Sequence, residues 1–242
     1  MESTKPIDIV MTTWQRENIA KLSLCAFKKN TKYPHRLIII DNGSTYEAQS
    51  LYNSMADIYI RLDTNKGLEY AKWLGMTFVE SDLFVSTDND IMPYKYTPDW
   101  LSLLVNLMEK NPIYGAIALR PQVLVGTGNI FDGKTEEIVE FGHVPGYARI
   151  MRTNAVNKVG AWNEWRELRG HEEYWISERL HNMGLKTGFA LNYKCWHLFG
   201  DDTTDKWGYN KDMKPEEHGH NEVAGIPGND KQLILEGVGI VI

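Results

Sequence analysis

Asp82-Leu-Phe-Val-Ser-Thr-Asp-Asn-Asp90 is a short apolar run that stops abruptly in two carboxylates spaced i, i+2. The pattern reads as a buried strand leaving the core, with Asp88 and Asp90 where it opens into a loop. Hard oxygen ligands at a strand's C-terminal edge suit a divalent cation that keeps positions open for phosphate oxygens. Asp-x-Asp is common in loops, so the pair gains its weight from what surrounds it.

Upstream, strand and helix signals alternate. Ile7-Asp-Ile-Val-Met11 reads as a first strand, and Glu17 to Lys29 as a helix with Ile19, Leu22 and Ala26 at 3.6-residue spacing. Arg36-Leu-Ile-Ile-Ile40 is near-continuously apolar, as a strand covered on both faces is. Asp41-Asn-Gly-Ser44 is a turn and helix entry, followed by the stripe Ala48, Leu51, Tyr52, Met55. Asp57 to Leu62 is a third strand and Leu68 to Glu80 a third helix. Such alternation implies an α/β fold: a Rossmann-like, mostly parallel central sheet with helices on both faces.

Downstream, Thr97 and Pro98 predict the N-cap and N1 of a helix carrying Trp100 to Met108. Beyond residue 112 the pattern is less regular. Gly115 to Leu119 and Tyr147 to Met151 read as strands, with a hairpin or excursion at Gly126 to Gly133. Glu172 to Met183 is helical, and Gly184 fits the position just past its end. The polar, Gly-containing segment from Gly200 to Asp230 reads as a long loop or lid, with Lys206 and Trp207 as its candidate ligand-facing members.

The 242 residues suit one large domain, or one with a tail, and the 43% hydrophobic content supports a sizeable core. The formal charge of −6, from 32 acidic and 26 basic residues, argues against a large surface for duplex nucleic acid. No apolar run approaches the roughly 18 residues of a spanning helix, and the opening residues lack the apolar core of a signal peptide. With two cysteines, Cys25 and Cys195, a disulfide framework is not expected, and a cytoplasmic setting is.

The first strand–helix turn, Thr12-Thr-Trp-Gln-Arg16, lacks the Gly-x-Gly-x-x-Gly of dinucleotide folds, and no P-loop motif occurs. Hydride transfer and P-loop phosphotransfer are therefore excluded as first choices. Thr12 and Thr13, Asp41, the Asn65-Lys66-Gly67 turn and Asp88 to Asp90 all fall at strand ends facing one crevice. Hydroxyls, a base-reading carboxylate, a Gly turn and a metal-binding pair make a nucleotide-diphosphate site.

The chain resembles the family 2 glycosyltransferases, which have the GT-A fold. The matching pieces stand in order: Ile9 to Arg16, Ile38-Ile-Ile-Asp-Asn-Gly-Ser44, Asn65-Lys-Gly to Gly75, Ser86-Thr-Asp-Asn-Asp-Ile-Met-Pro93, and Gly160-Ala-Trp-Asn-Glu164 with Gly170-His-Glu-Glu173 and Arg179-Leu180. The resemblance spans residues 6 to 198, with Trp73 where Asn is usual. It implies that Asp41 contacts the base, a uracil imide, with guanine open as an alternative. It also implies that Thr12 binds base or ribose, with Thr13, Arg16, Asn65, Gly67 and Asn89 on the nucleotide-sugar side. Lys72 stands at a usually basic position and is expected at donor phosphate or sugar, or as a solvated helix residue. Asp88 is expected near ribose and sugar and as a metal ligand with Asp90.

The acceptor-side block of the family carries Glu-Asp, whose Asp is the general base. Counting back from Arg179 puts Glu173 at that position, one methylene longer, with Glu172 as the other candidate. Both acids also suit the first turn of a helix electrostatically. His197 resembles a metal-ligating His that follows the catalytic helix, His171 is a candidate for acceptor or phosphate, and His218 and His220 read as solvated loop residues.

The reading is thus an inverting enzyme using Mn²⁺ or Mg²⁺ and a nucleotide-diphosphate sugar, UDP before GDP or dTDP, on a hydroxyl of a glycan or glycolipid. Residues 1–111 form the nucleotide-sugar half, 112–199 the smaller acceptor-binding half, and 200–242 a lid or tail. Peripheral membrane contact is compatible with it; nucleic acid is not an expected partner. The rivals are a nucleotidyltransferase on a similar fold, a catalytically silent sugar-nucleotide or glycan-binding protein, and a modifier of hydroxylated DNA bases.

Overall fold

The computed structural model describes residues 5–121, 130–163 and 172–197. In chain order the elements are β1 (Ile7–Thr13), α1 (Glu17–Asn30), β2 (His35–Asp41), α2 (Tyr46–Met55), β3 (Ile58–Arg61), α3 (Leu68–Met76), β4 (Leu83–Asp88) and β5 (Ile91–Pro93). They continue with α4 (Trp100–Lys110), β6 (Tyr114–Pro121), β7 (Ile138–Glu140), β8 (Arg149–Arg152), α5 (Thr153–Lys158), α6 (Glu172–Asn182) and β9 (Lys186–His197). Among the described residues the strands form one sheet, ordered β3-β2-β1-β4-β8-β6-β9-β5, with β7 also on β9.

The first four strands pair in parallel. All seven residues of β1 are buried, as a strand covered on both faces requires. Connections run β1 to β2 to β3 in one direction, then jump back to β4 on the other side of β1. With right-handed crossovers, α1 and α2 cover one face and α3 the other. The reversal between β1 and β4 is a topological switch point, and the crevice beyond their C-terminal ends is where such sheets bind ligands. Helix α3 lies tight on β1: a Cβ on Gly75 would fall 2.3 Å from Val10 Cγ1, so glycine is needed for this close approach.

The second half is mixed. Strand β8 is antiparallel to both β4 and β6, and β9 runs parallel to β6 but antiparallel to β5 and β7. Its core includes Trp100, Leu104, Ile117, Ile150 and Phe189.

Several expected boundaries move. Strand β1 runs on to Thr13, which is in register with Asp41. Helix α3 ends at Met76 rather than Glu80, because the carboxylate of Asp8 captures the N–H groups of Glu80 (2.7 Å) and Ser81 (3.0 Å) and turns the chain into β4. The cap of α4 is Asp99, not Thr97. Its Oδ1 accepts from the N–H of Leu101 at 3.2 Å and of Ser102 at 3.4 Å. Strand β8 starts at Arg149, after Ala148 takes a left-handed φ of +47° and bends the chain. The excursion at 126–133 and the lid at 200–230 lie wholly or partly outside the described residues.

Candidate active site

The tips of β1 and β4 stand side by side, with Thr12 in register with Asp88. Thr12 Oγ1 and Asp90 Oδ1 are buried oxygens with no hydrogen-bond partner, and Asp88 Oδ1 beside them has only the Lys72 ammonium at 3.3 Å. Buried polar atoms are nearly always satisfied, so two orphaned oxygens side by side at a switch point mark a place a ligand completes. Thr13 is satisfied: its Oγ1 accepts from Asn89 Nδ2 at 2.8 Å, which ties the β1 tip to the loop between the two carboxylates.

Around this point the nucleotide side is knit by neutral hydrogen bonds. Asn42 donates to Asn65 Oδ1 (2.8 Å) and to the carbonyl of Gly67 (3.2 Å), and accepts from the N–H of Lys66 (2.8 Å). Asn65 Oδ1 also accepts from the N–H of Gly67 at 2.9 Å. The Asn65-Lys66-Gly67 turn is therefore preformed, with Gly67 at φ +92°. Gly43 takes φ +83°, and a Cβ there would fall 2.6 Å from the Thr64 carbonyl carbon.

Asp41 closes the tip of β2. It has 0% exposure. Its oxygens accept from Ser44 N–H at 2.8 Å and from the Tyr59 hydroxyl at 2.7 Å, with Arg61 Nε at 3.8 Å. Tyr59 and Arg61 thus share Asp41 Oδ2, and Ser44 holds Oδ1.

Asp90 is flanked by a guanidinium and an imidazole. Its Oδ2 lies 3.2 Å from Arg16 Nη1 and 3.5 Å from His197 Nε2. Burial pushes its carboxyl up, but His197 and then Arg16 outweigh that and hold it below the usual range. His197 reaches Asp90 because β9 pairs with β5, where His197 is in register with Ile91. Asp88 turns elsewhere: its Oδ1 is 3.3 Å from Lys72 Nζ. The loop above it passes so close that a Cβ on Gly146 would lie 2.6 Å from Asp88 Oδ2. Among the described residues no three His, Cys, Asp or Glu side chains converge as an all-protein metal site. A cation fits at Asp90 nonetheless. The unpartnered Oδ1 and the neighbouring imidazole supply two donors, and a diphosphate supplies others.

The two acids of α6 have separate environments. Glu172 is 2% exposed. It accepts from Lys72, from Arg149 Nη2 at 3.1 Å and from Trp162 Nε1 at 2.8 Å. Burial raises its pKa, but Arg149 and Lys72 more than offset this and bring it to about 2. Lys72 is thus not a solvated helix residue: it has 0% exposure and bridges Glu172 and Asp88. Burial alone lowers an ammonium pKa; Asp88 and Glu172 reverse the sign. Glu173 is half-buried, and its carboxyl is raised, first by burial and then by the charge of Glu172.

Arg149, Trp162 and Gly146 carry this arrangement, and sequence reasoning missed all three. Only Trp162 left a signal, inside the Gly160 to Glu164 block. His171, Lys206, Trp207, His218 and His220 lie outside the described residues.

A sheet that reverses direction beside a strand-tip Asp-x-Asp is the GT-A architecture, and solved structures share it. GalNAc-T7, solved with UDP, GalNAc and Mn²⁺, superposes with a TM-score of 0.63 at 14% identity, covering 81% of this chain and 44% of its own. S. aureus TarS, residues 1–349, gives a TM-score of 0.63 at 14% identity, covering 88% of this chain and 68% of its own. This chain therefore spans less than half the length of the first. At such identity the likeness concerns the fold. Residues 8–177 match Glycosyl transferase family 2, and the chain belongs to that family. No curated protein matches it significantly.

Proposed function

We propose that this chain transfers a sugar, with inversion, from a UDP-sugar to a hydroxyl of a glycan or glycolipid, using a divalent cation. Family membership supports the nucleotide-sugar chemistry. One observation carries the mechanism: Glu172 and Glu173 are adjacent, but the first is locked as an anion by two cations while the second is half-buried with a raised pKa. A base must be partly open, uncommitted and stronger than an ordinary carboxylate. Glu173 meets those conditions and Glu172 meets none of them.

Glu173 takes the proton from the acceptor oxygen, which attacks the anomeric carbon from the face opposite the nucleotide. Asp90 and His197 are the residues to hold Mn²⁺ or Mg²⁺, which when bound supplies positive charge for the leaving diphosphate. Asp88, turned by Lys72, faces the sugar and ribose rather than completing a metal triad. The Thr12 hydroxyl takes nucleotide. Asp41 acts on the base either directly or through Tyr59, whose hydroxyl it orients. The uracil assignment rests on an anionic acceptor at the β2 tip. The two cysteines are free thiols, which suits a cytoplasmic setting.

A screen of nucleotide sugars with Mn²⁺, reading released nucleotide diphosphate, tests the proposal. It is expected to show UDP release that EDTA abolishes. Turnover persisting in EDTA, or GDP competing at least about tenfold better than UDP, overturns the corresponding assignment.

A further inference from the structure

Gln15 and Arg16, two consecutive residues with side chains, have φ of +54° and +62°. Left-handed backbone at such residues is disfavoured and persists only when its surroundings impose it. Here they do. The N–H of Gln15 donates to Ser44 Oγ at 2.8 Å, its Oε1 accepts from the Thr45 N–H at 3.1 Å, and its carbonyl accepts from the Tyr52 hydroxyl at 2.7 Å. The turn is thereby tied to the β2–α2 loop and to α2. Its effect is to bring Arg16, at the entry of α1, back across the crevice to Asp90. Both side chains are largely buried, 16% and 7% exposed, so the pair is only weakly screened. A guanidinium stays charged at any working pH, so Arg16 is a permanent cation beside the carboxylate read above as the metal ligand.

We propose that Arg16 is an internal counter-cation for Asp90. It neutralises the carboxylate in the donor-free protein and gives it up when metal and diphosphate arrive together. The inference rests on the metal-dependent reading above. Arg16 holds Oδ2 of Asp90 while Oδ1 is open, so metal arriving alone must share one carboxylate with a guanidinium and bind against its charge. A diphosphate offers Arg16 a new anion, so each ligand lowers the cost of binding the other. The protein then resists loading with free metal and accepts it with nucleotide.

Mn²⁺ binding followed by electron paramagnetic resonance of the free ion, with and without saturating UDP, tests this on the full chain. Arg16→Met is expected to bind Mn²⁺ alone about tenfold tighter than wild type, equivalent to about 1.4 kcal/mol. With UDP present the gap is expected to close or reverse. Arg16→Lys, keeping the charge, is expected to stay near wild type. Gln15→Gly, which frees the turn, is expected to move affinity in the same direction as Arg16→Met but less, and it serves if Arg16→Met does not fold. Equal or weaker binding of Mn²⁺ alone by both Arg16→Met and Gln15→Gly, while Mn²⁺ with UDP still binds, overturns the proposal and leaves the metal-dependent reading intact. If wild type binds no Mn²⁺ even with UDP, both fall.

Discussion

The two sides of the crevice are built by different means. On the nucleotide side, Asn42, Asn65, Gly67, Thr13 and Asn89 are joined by neutral hydrogen bonds at the tips of parallel strands. On the side beneath α6, Lys72 and Asp88 are joined to Arg149 and Glu172 of the second half of the chain by charges. A neutral network loses one bond at a time. A buried charge network that loses one member leaves another charge uncompensated in low dielectric. The neutral network should therefore tolerate single substitutions that the charged one does not.

The largest effect separates chemistry from that scaffold. Glu173→Gln should cut transfer by about 10² to 10⁴-fold while thermal stability and calorimetric UDP affinity stay near wild type. An active Glu173→Gln places the base elsewhere. In wild type the acid limb of the kcat/KM profile should lie above the ordinary Glu range, since the Glu173 carboxyl is raised and must be ionised to act.

Glu172→Gln should cost roughly 3–5 kcal/mol of stability, read by denaturant unfolding, because Lys72 and Arg149 lose their shared carboxylate. Asn42→Ala should cost less, about 1–3 kcal/mol. If the two variants lose equal stability, the contrast between the sides is wrong. Gly146→Ala should cost about 1–3 kcal/mol by crowding Asp88, and should weaken binding of donor with Mn²⁺ more than binding of UDP alone.

The smallest effect is in the acid response. The Glu172 carboxyl is lowered from 4.5 to about 2, so its contribution is complete above the unfolded value and is lost as pH falls toward the folded one. Melting temperatures of wild type should fall across that window. Glu172→Gln, already weakened, should lose less over the same range.

The same contrast decides what could be read from the chain. Ile38 to Asp41 announces both a doubly covered strand and the carboxylate at its tip, because residue type, burial and turn chemistry coincide within a few positions. Asp88, Asp90 and the Asn65–Gly67 turn were legible for the same reason. Lys72 and Glu172 are 100 positions apart, and neither periodicity nor turn signals carry a pairing at that range. The sequence therefore offers Lys72 as a donor contact or a solvated helix residue, with no sign of its acidic partners. Strand β9 went unread because Gly188 interrupts it; a Cβ there would sit 2.7 Å from the Val139 carbonyl oxygen, so the glycine admits β7 rather than ending the strand.

That strand also sets an order of events during synthesis. Strand β9 lies between β6 and β5 in the sheet, yet it is made about a hundred residues after β5. Until the ribosome has released residues 186–197, β1 to β4 can pair, but β5 has no partner and Asp90 no His197. Domains form from the N-terminus as chain emerges, and long-range pairings close slowly. Asp90 is thus made early and completed last, and His197 reaches it only when the sheet is whole.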